Sequence, residues 1–321
     1  MKCRLGYVSL ALNLEKITSS SVVTYRYYKG LTSEQKINKL KKVTLSNLQD
    51  LEKILTYNME NDIHFYRLTS NLIPLATHPD VKDWDYRKYF NIDFKYIGNI
   101  IKKYDMRIDL HADQFNVINS TNKQIVEKTI TNLYFLAMIL EDINLSNSKI
   151  IIHVGGSSGG KKEALNRFIT NFRLFPKIIT DKIIIENDDK TFNIIDVLNL
   201  CNKLKVPMVL DAHHYKCNNE GEKLEDYIED IFNTWNNDVW LPKIHYSSGR
   251  DDKLDRKHSD YIFANEFVDF IELVKNEIDR DFDIMLESKK KEKALFKLMD
   301  DLKRLKENWN YIDKTTFEIV R

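Results

Sequence analysis

Eight short apolar runs punctuate the chain, and a stretch of helical periodicity separates each from the next. The runs are CRLGYVSL near residue 3, IHFYRLT near 63, RIDLH near 107, KIIIHVGG from 149, KIIIENDD from 182, PMVLDAHH from 207, PKIHYSS from 242 and DIMLESK from 283. Several are apolar throughout rather than alternately, as strands covered on both faces must be. Between them, Ile125, Val126, Ile130, Leu133, Leu136 and Leu140 recur at helical spacing within 121–145, as do Leu45, Leu48, Leu51 and Leu55 in the first helical stretch. Strand and helix in alternation imply a parallel sheet with right-handed crossovers. Eight such units predict an α/β chain folded as a single (β/α)8 TIM barrel over residues 1–300. Residues 301–321 are expected to be a C-terminal tail packed on or capping it. An open doubly wound sheet is the competitor. It is disfavoured because the glycine-rich loop follows the fourth run and no GxGxxG follows the first.

Composition narrows the class. Hydrophobic residues make up 43% and charged residues 30% of the 321 residues, which excludes a disordered chain. Lys and Arg number 49 against 48 Asp and Glu, so no global positive field points to nucleic acid, although a local patch remains compatible. Three scattered cysteines, Cys3, Cys201 and Cys217, form no CxxC, which fits a reducing compartment. The N-terminus has no long signal-type apolar core, and no run reaches transmembrane length. The expectation is a soluble, cytoplasmic protein with no membrane partner.

The ends of the runs carry the chemistry. His111 follows RIDL, His153 follows III, Glu186 follows KIII, Asp211 follows PMVL, His245 lies in PKIHYSS and Glu287 follows DIML. In a barrel these side chains converge at the C-terminal mouth of the strands, where barrel active sites lie. One polar residue at a strand end is ordinary, since there the sheet meets water. Six together are not, because unpaired buried charge costs several kcal/mol. His78, His214 and His258 lie in the loops that follow and extend the set to nine groups, so six of the eight histidines fall in one constellation. Imidazole and carboxylate suit zinc and manganese, and nine ligands exceed the needs of one ion, so a multinuclear metal cluster is predicted. His64 is left as a core or barrel-bottom histidine, and His213 as a packing neighbour or a substitute for His214. Lys243, two residues before His245, faces the same side of its strand. Beside divalent cations it must lose its proton, move its ammonium toward the barrel bottom, or carry a carboxylate modification.

In order along the chain, RLGYVS, FYRLTSNLIPLATHP, DLHADQF, IIHVGG, IIIENDD, VLDAHH, PKIHYSS and MLESKKKE resemble the UV damage endonucleases over roughly residues 3 to 295. The resemblance implies a (β/α)8 barrel with a cluster of about two to three divalent ions, most often Mn2+, with Zn2+ or Co2+ as substitutes. It implies hydrolysis of the phosphodiester on the 5′ side of a UV lesion (pyrimidine dimer, 6-4 photoproduct or abasic site), leaving 3′-hydroxyl and 5′-phosphate. By motif, His78, His111, His153, Glu186, Asp211, His214, His245, His258 and Glu287 match the family's metal ligands, with Glu186 as the bridging carboxylate. Lys243 matches its modified lysine. Gln114 and Phe115 match a Gln-Tyr pair that probes the duplex at the lesion; here the aromatic face is kept and the hydroxyl is lost. Tyr7 matches an aromatic residue of the lesion pocket, so Glu186, Lys243 and Tyr7 form the expected catalytic set.

Metal lowers the pKa of water from 15.7 to about 7, which is how such a site makes hydroxide at neutral pH. A damaged pair stacks poorly and costs less than a normal one to flip, and inserted side chains hold the resulting kink. Gln114 and Phe115 are the candidates for that wedge; the alternative is that Phe115 packs a barrel loop. The loop Gly155–Lys162, including Gly156 and Lys161, reads either as a phosphate cradle or as a flexible connection. Arg67, Arg250 and Lys289 are further candidate phosphate contacts, though the lysine run 289–291 also reads as a solvated helix face. The expected partner is damaged double-stranded chromosomal DNA, bound by a monomer. The rival readings are a metal-dependent sugar isomerase of the xylose isomerase-like superfamily and a lesion-binding barrel without catalysis.

Overall fold

The computed structural model describes residues 1–320. Eight parallel strands form its centre: β1 (Lys2–Val8), β2 (Phe65–Leu68), β3 (Arg107–His111), β4 (Ile150–His153), β5 (Ile183–Glu186), β6 (Met208–Asp211), β7 (Lys243–Tyr246) and β8 (Phe282–Leu286). They neighbour one another in chain order, and β1 pairs with both β8 and β2, so the sheet closes. The predicted TIM barrel is therefore the fold, and the open sheet is excluded.

The helices are α1 (Tyr25–Lys29), α2 (Ser33–Glu60), α3 (Tyr86–Lys103), α4 (Lys123–Asp142), α5 (Lys161–Phe172), α6 (Lys177–Thr180), α7 (Ile194–Leu204), α8 (Ala212–Cys217), α9 (Ile228–Asn233), α10 (Ala264–Glu277) and α11 (Lys291–Leu305). The longest, α2, starts at a capping box in which Thr32 and Gln35 satisfy each other's backbone N–H groups. It buries Leu40, Leu48, Leu51, Ile54 and Leu55 against the barrel, whereas Leu45 is 40% exposed. The expected stripe is thus right except at Leu45, which turns to the solvent edge. On α4 the same holds: Leu133, Leu136 and Leu140 are buried and Ile125 is on the surface.

Alternation along each strand divides the barrel. One set of side chains joins the large core beneath the helices. The other fills the interior, where Ile151, Ile184 and Val209 pack on Trp235, and Val8 packs on Phe65 and Met285. Gly6 allows β1 to close on β2, since a Cβ there would lie 2.4 Å from the Phe65 carbonyl oxygen. Near the N-terminal end the interior turns ionic. Arg107 donates to Asp109 at 3.2 Å and to Asp283 at 2.8 Å, and Arg4 pairs with Asp283 at 2.6 Å. The Arg107 guanidinium also lies 5.1, 5.3 and 5.4 Å from the rings of Phe65, Trp235 and Trp240, a cation–π arrangement.

Beyond α11 the tail forms β9 (Asn310–Tyr311) and β10 (Thr316–Glu318). β10 pairs antiparallel with the first half of β1, placing Cys3 opposite Phe317, while β1 meets β2 only at Tyr7 and Val8. The tail therefore fills the sheet edge left where β1 and β2 diverge. Phe317 is fully buried, stacked on Trp309 at 5.0 Å and set edge-on to Phe267 of α10 at 6.3 Å. Phe317→Ala should lower the unfolding free energy by about 3–5 kcal/mol, read from the urea midpoint; an unchanged midpoint would show that the hairpin adds nothing to the barrel.

Candidate metal centre

Because side chains alternate along a strand, fixing Ile184 in the interior also turns Glu186 inward, one layer nearer the mouth. The same applies to Ile151 with His153, Val209 with Asp211, Lys243 with His245, and Met285 with Glu287. Glu186 ends at the centre of this ring. Its Oε2 lies 3.0 Å from His111 Nε2 and 3.7 Å from His153 Nε2. Its Oε1 lies 2.9 Å from His245 Nδ1 and 3.6 Å from His214 Nδ1. Three sets share this residue, each with ligand atoms within 4.8 Å of one another: His111, His153 and Glu186; Glu186, His245 and Glu287; Glu186, Asp211 and His214.

Three imidazoles are set by hydrogen bonds from Nδ1 to backbone carbonyls. His111 Nδ1 meets the Ala112 carbonyl at 2.8 Å, His214 Nδ1 the Asn187 carbonyl at 3.0 Å, and His258 Nδ1 the Glu287 carbonyl at 2.7 Å. A carbonyl only accepts, so Nδ1 carries a proton in all three, and Nε2 is the nitrogen left for a metal when the ring is neutral, the usual state of a ligating histidine. His111 Nε2 lies 3.0 Å from Glu186 Oε2, where a proton on Nε2 gives a hydrogen bond and a neutral ring would need a cation shared by the two atoms. Asp211 Oδ1 caps α8 by accepting from the amides of His213 and His214 at 2.7 Å, which leaves its buried Oδ2 without a hydrogen-bond partner, 3.6 Å from His214 Nδ1. His153 Nδ1 and His245 Nε2 are also buried and unpartnered. Buried polar atoms without partners are uncommon in folded proteins. This donor set of nitrogen and oxygen atoms fits divalent transition-metal ions.

The electrostatics match the geometry. Burial alone would raise the Glu186 carboxyl, but the charges of His245 and His153, with hydrogen bonds from His111 and His245, hold it well below the usual carboxylate range. Burial pushes Asp211 up, aided by Glu186 and Glu287. Burial opposes protonation of His214, yet Asp211 and Glu186 outweigh it and push the imidazole up to about 9. Glu287 is held low despite burial, chiefly by the Arg67 guanidinium, with which it forms an ion pair, and by His245 at 3.2 Å.

Other expected site residues lie as follows. His258 is 3.9 Å from Glu287 at the rim of the cluster. His78 lies outside the three sets: its ring stacks on Tyr25 at 4.0 Å and its Nδ1 accepts from the Asp80 amide at 3.2 Å. Lys243 is fully buried with Nζ 3.1 Å from Asp109, so its ammonium sits in the ionic layer below the cluster. Burial, with Arg107 and Arg67 nearby, lowers it to about 8, against the pull of Asp109. His213 Nε2 donates to the Asp255 carbonyl, 2.9 Å away, as a neighbour rather than a substitute for His214. His64 is at the foot of β2 near Asp313.

Tyr7 requires a correction. It is fully buried, and its hydroxyl donates to Asn58 of α2 at 2.7 Å. Val8 faces the interior, so its neighbour Tyr7 must face the helices, and it has no exposed atom to offer a lesion. The phosphate candidates are also rearranged. Lys161 is paired with Asp196 and Glu220, and Arg250 with Asp251 and Asp255 of its own loop. Arg67 is committed to Glu287. Gly156 lies in an exposed but anchored loop, where Asn119 donates to its carbonyl and Arg167 to that of Ser158. Gln114 borders the mouth beside His111 and His153, Phe115 is 73% exposed, and Lys289 is exposed after Glu287. Asp109, the partner of Lys243, and the Arg107–Asp283 pair beside it were not foreseen, although steps of two residues back from His111 and Glu287 mark their face.

The sequence profile of the family UV-endonuclease UvdE matches residues 3–317, so it includes the hairpin beyond the expected end of the resemblance. A UV DNA damage endonuclease of Bacillus cereus (strain B4264) is 38% identical over 307 residues, covering 95% of this chain and 96% of that protein. One of Bacillus mycoides (strain KBAB4) is 37% identical over the same length. The crystal structure of SacUVDE superposes with a TM-score of 0.83 at 35% identity, over 94% of this chain and 99% of that one. The 3-keto-D-glucoside 4-epimerase YcjR of E. coli superposes at 0.55 with 10% identity, a likeness of fold alone. A profile spanning nearly the whole chain, together with relatives at this identity, establishes that the chain belongs to the UV-endonuclease UvdE family.

Proposed function

We propose that the protein is a metal-dependent DNA repair endonuclease that cuts the phosphodiester on the 5′ side of UV lesions, leaving 3′-hydroxyl and 5′-phosphate. The observation that carries this reading is Glu186, a buried carboxylate whose two oxygens face two different pairs of imidazoles, in a chain of this family. His111, His153, Glu186, Asp211, His214, His245 and Glu287 would hold about two to three divalent ions, with Mn2+ the preferred metal and Zn2+ or Co2+ alternatives. His258, at the rim, and His78, after release from Tyr25, would complete the set. Such ions supply charge neutralisation at phosphate and acidification of water.

The chain's own groups do the rest. Backbone carbonyls hold the imidazoles of His111, His214 and His258 through Nδ1, so that in the neutral rings Nε2 is the nitrogen left to bind a metal ion. Arg67 fixes Glu287 and brings positive charge to the mouth beside the incoming phosphate. Burial lowers Lys243 to about 8, which leaves about a tenth of the amine neutral at pH 7, the form that adds CO2 to give a carbamate and release a proton. A carboxylated Lys243 would repel Asp109, so the proposal includes a turn of that side chain toward the mouth on modification. Gln114 and Phe115 form the wedge: Phe115 is exposed rather than packed, and an exposed phenyl ring offers a stacking face for a base. The substrate is damaged double-stranded DNA, cut by an intracellular monomer acting on the chromosome. Among the described residues no helix is long and apolar enough to cross a membrane.

Purified protein with Mn2+ should nick UV-irradiated supercoiled plasmid and leave unirradiated plasmid closed, and a chelator should stop the reaction. Binding to irradiated DNA without nicking would instead favour the non-catalytic barrel. Phe115→Ala removes an exposed ring and should preserve the melting temperature and metal content. It should lower kcat/KM on lesion-bearing duplex by about 5- to 150-fold, the equivalent of about 1–3 kcal/mol of base stacking. An unchanged kcat/KM would remove Phe115 from the wedge.

A further inference from the structure

The cations expected to meet DNA phosphate around the mouth are largely spoken for by carboxylates. Arg256 pairs with Asp189 and Lys253 with Glu266, in addition to the pairs of Lys161, Arg250 and Arg67. The opposite situation holds on α1 and the start of α2. Residues 26–42 carry six cations, Arg26, Lys29, Lys36, Lys39, Lys41 and Lys42, against one carboxylate, Glu34, in a chain whose net charge is +1. Among the described residues none of the six forms an ion pair.

Their placement is ordered. Lys36 Nζ lies 5.2 Å from the Tyr28 ring and Lys39 Nζ 5.7 Å from the Tyr27 ring, so α1 and α2 are joined by cation–π contacts that hold ammonium groups at the surface. Lys41 Nζ lies 4.1 Å from Tyr89, at the junction with α3. Arg26, Lys29 and Lys42 are exposed, as is half of Tyr27. Aromatic faces supply attraction without neutralising the charge, which leaves the lysines free for an external anion.

The patch is continuous with the metal centre. Tyr25, the first residue of α1, stacks on His78. His78 lines a cavity of about 600 Å3 together with Asn71 and Asp113. Asn71 and Asp113 also line the adjoining cavity of about 380 Å3, which contains His111 and His153. From α2, Asn47 donates to the carbonyls of Ser21 and Leu72, which locks the helix to the loop after β2 that borders both cavities.

We propose that the basic face of α1 and the first turns of α2 is a second DNA-contacting surface, which binds the phosphate backbone of the duplex flanking the site of incision. This deepens the endonuclease reading and rests on it for the choice of polyanion. Each phosphate neutralised releases condensed counterions, so the surface sets how steeply affinity falls with salt, without reading sequence or damage.

The test measures binding to an undamaged duplex of about three helical turns as salt is raised. Changing Lys29, Lys39 and Lys42 together to Gln should flatten the slope of log K against log salt by about 2.7 and weaken binding roughly tenfold or more at low salt. The same variant should keep the wild-type kcat for nicking irradiated plasmid, with the loss confined to KM. Glu34→Lys adds a cation and should steepen the slope by about 0.9, which decides the matter if the triple variant folds poorly. Slopes equal to wild type in the folded variants would overturn the proposal. Failure of the wild-type protein to nick damaged DNA would strike the endonuclease reading instead and leave the binding slopes to judge the patch.

Discussion

A carboxylate with almost no solvent contact, Glu186, sits among four imidazoles, and the arrangement of the barrel mouth follows from it. An isolated buried charge of this kind costs several kcal/mol, so its neighbours must compensate. The histidines do so in pairs, His111 with His153 on one oxygen and His245 with His214 on the other. Each comes from a different strand or the loop after it, so only a closed barrel assembles them. Oδ2 of Asp211, 3.6 Å from His214 Nδ1, and Nε2 of His245 are left without hydrogen-bond partners. Divalent cations would give both a partner.

Beneath this layer lies an ionic plate of opposite design. Arg107, Asp109, Lys243, Asp283 and Arg4 pair among themselves and with aromatic rings. Lys243 is the link between the two layers, since it shares a face with His245 but directs its ammonium to Asp109. The plate keeps positive charge below the ligands while the negative carboxylates face upward. That polarity suits a mouth that must hold cations and then receive a phosphate. The unpaired cations of α1 and α2 extend the same logic outward, to DNA at a distance from the chemistry.

Much of this was legible in the chain. Runs such as KIIIE and PMVLD disclose both a strand and the polar residue that crowns it, because burial on both faces forces continuous apolar sequence until the strand meets the mouth. Glu186, Asp211, His245 and Glu287 were visible for that reason. The assignment of Tyr7 to a lesion pocket rests on the family resemblance alone, and RLGYV has no alternation of polarity to show which face it takes; contact with Phe65 and Met285 turns Val8 inward and so Tyr7 toward the helices. The ion pairs of Lys161 and Arg250 depend on carboxylates such as Glu220 and Asp255, whose proximity is set by loop conformation rather than by any period. The tail hairpin was hidden too, since strands of two and three residues leave no pattern to detect.

The central claim is that Glu186 joins several divalent cations into one cluster. Metal content per chain, measured on the purified protein after equilibration with Mn2+ and gel filtration, tests it most directly when the wild-type chain is compared with Glu186→Gln. The account predicts more than one ion per wild-type chain and a loss of most of that metal in a variant that remains folded by circular dichroism. Equal metal content in the two proteins, or none in the wild type, would contradict it.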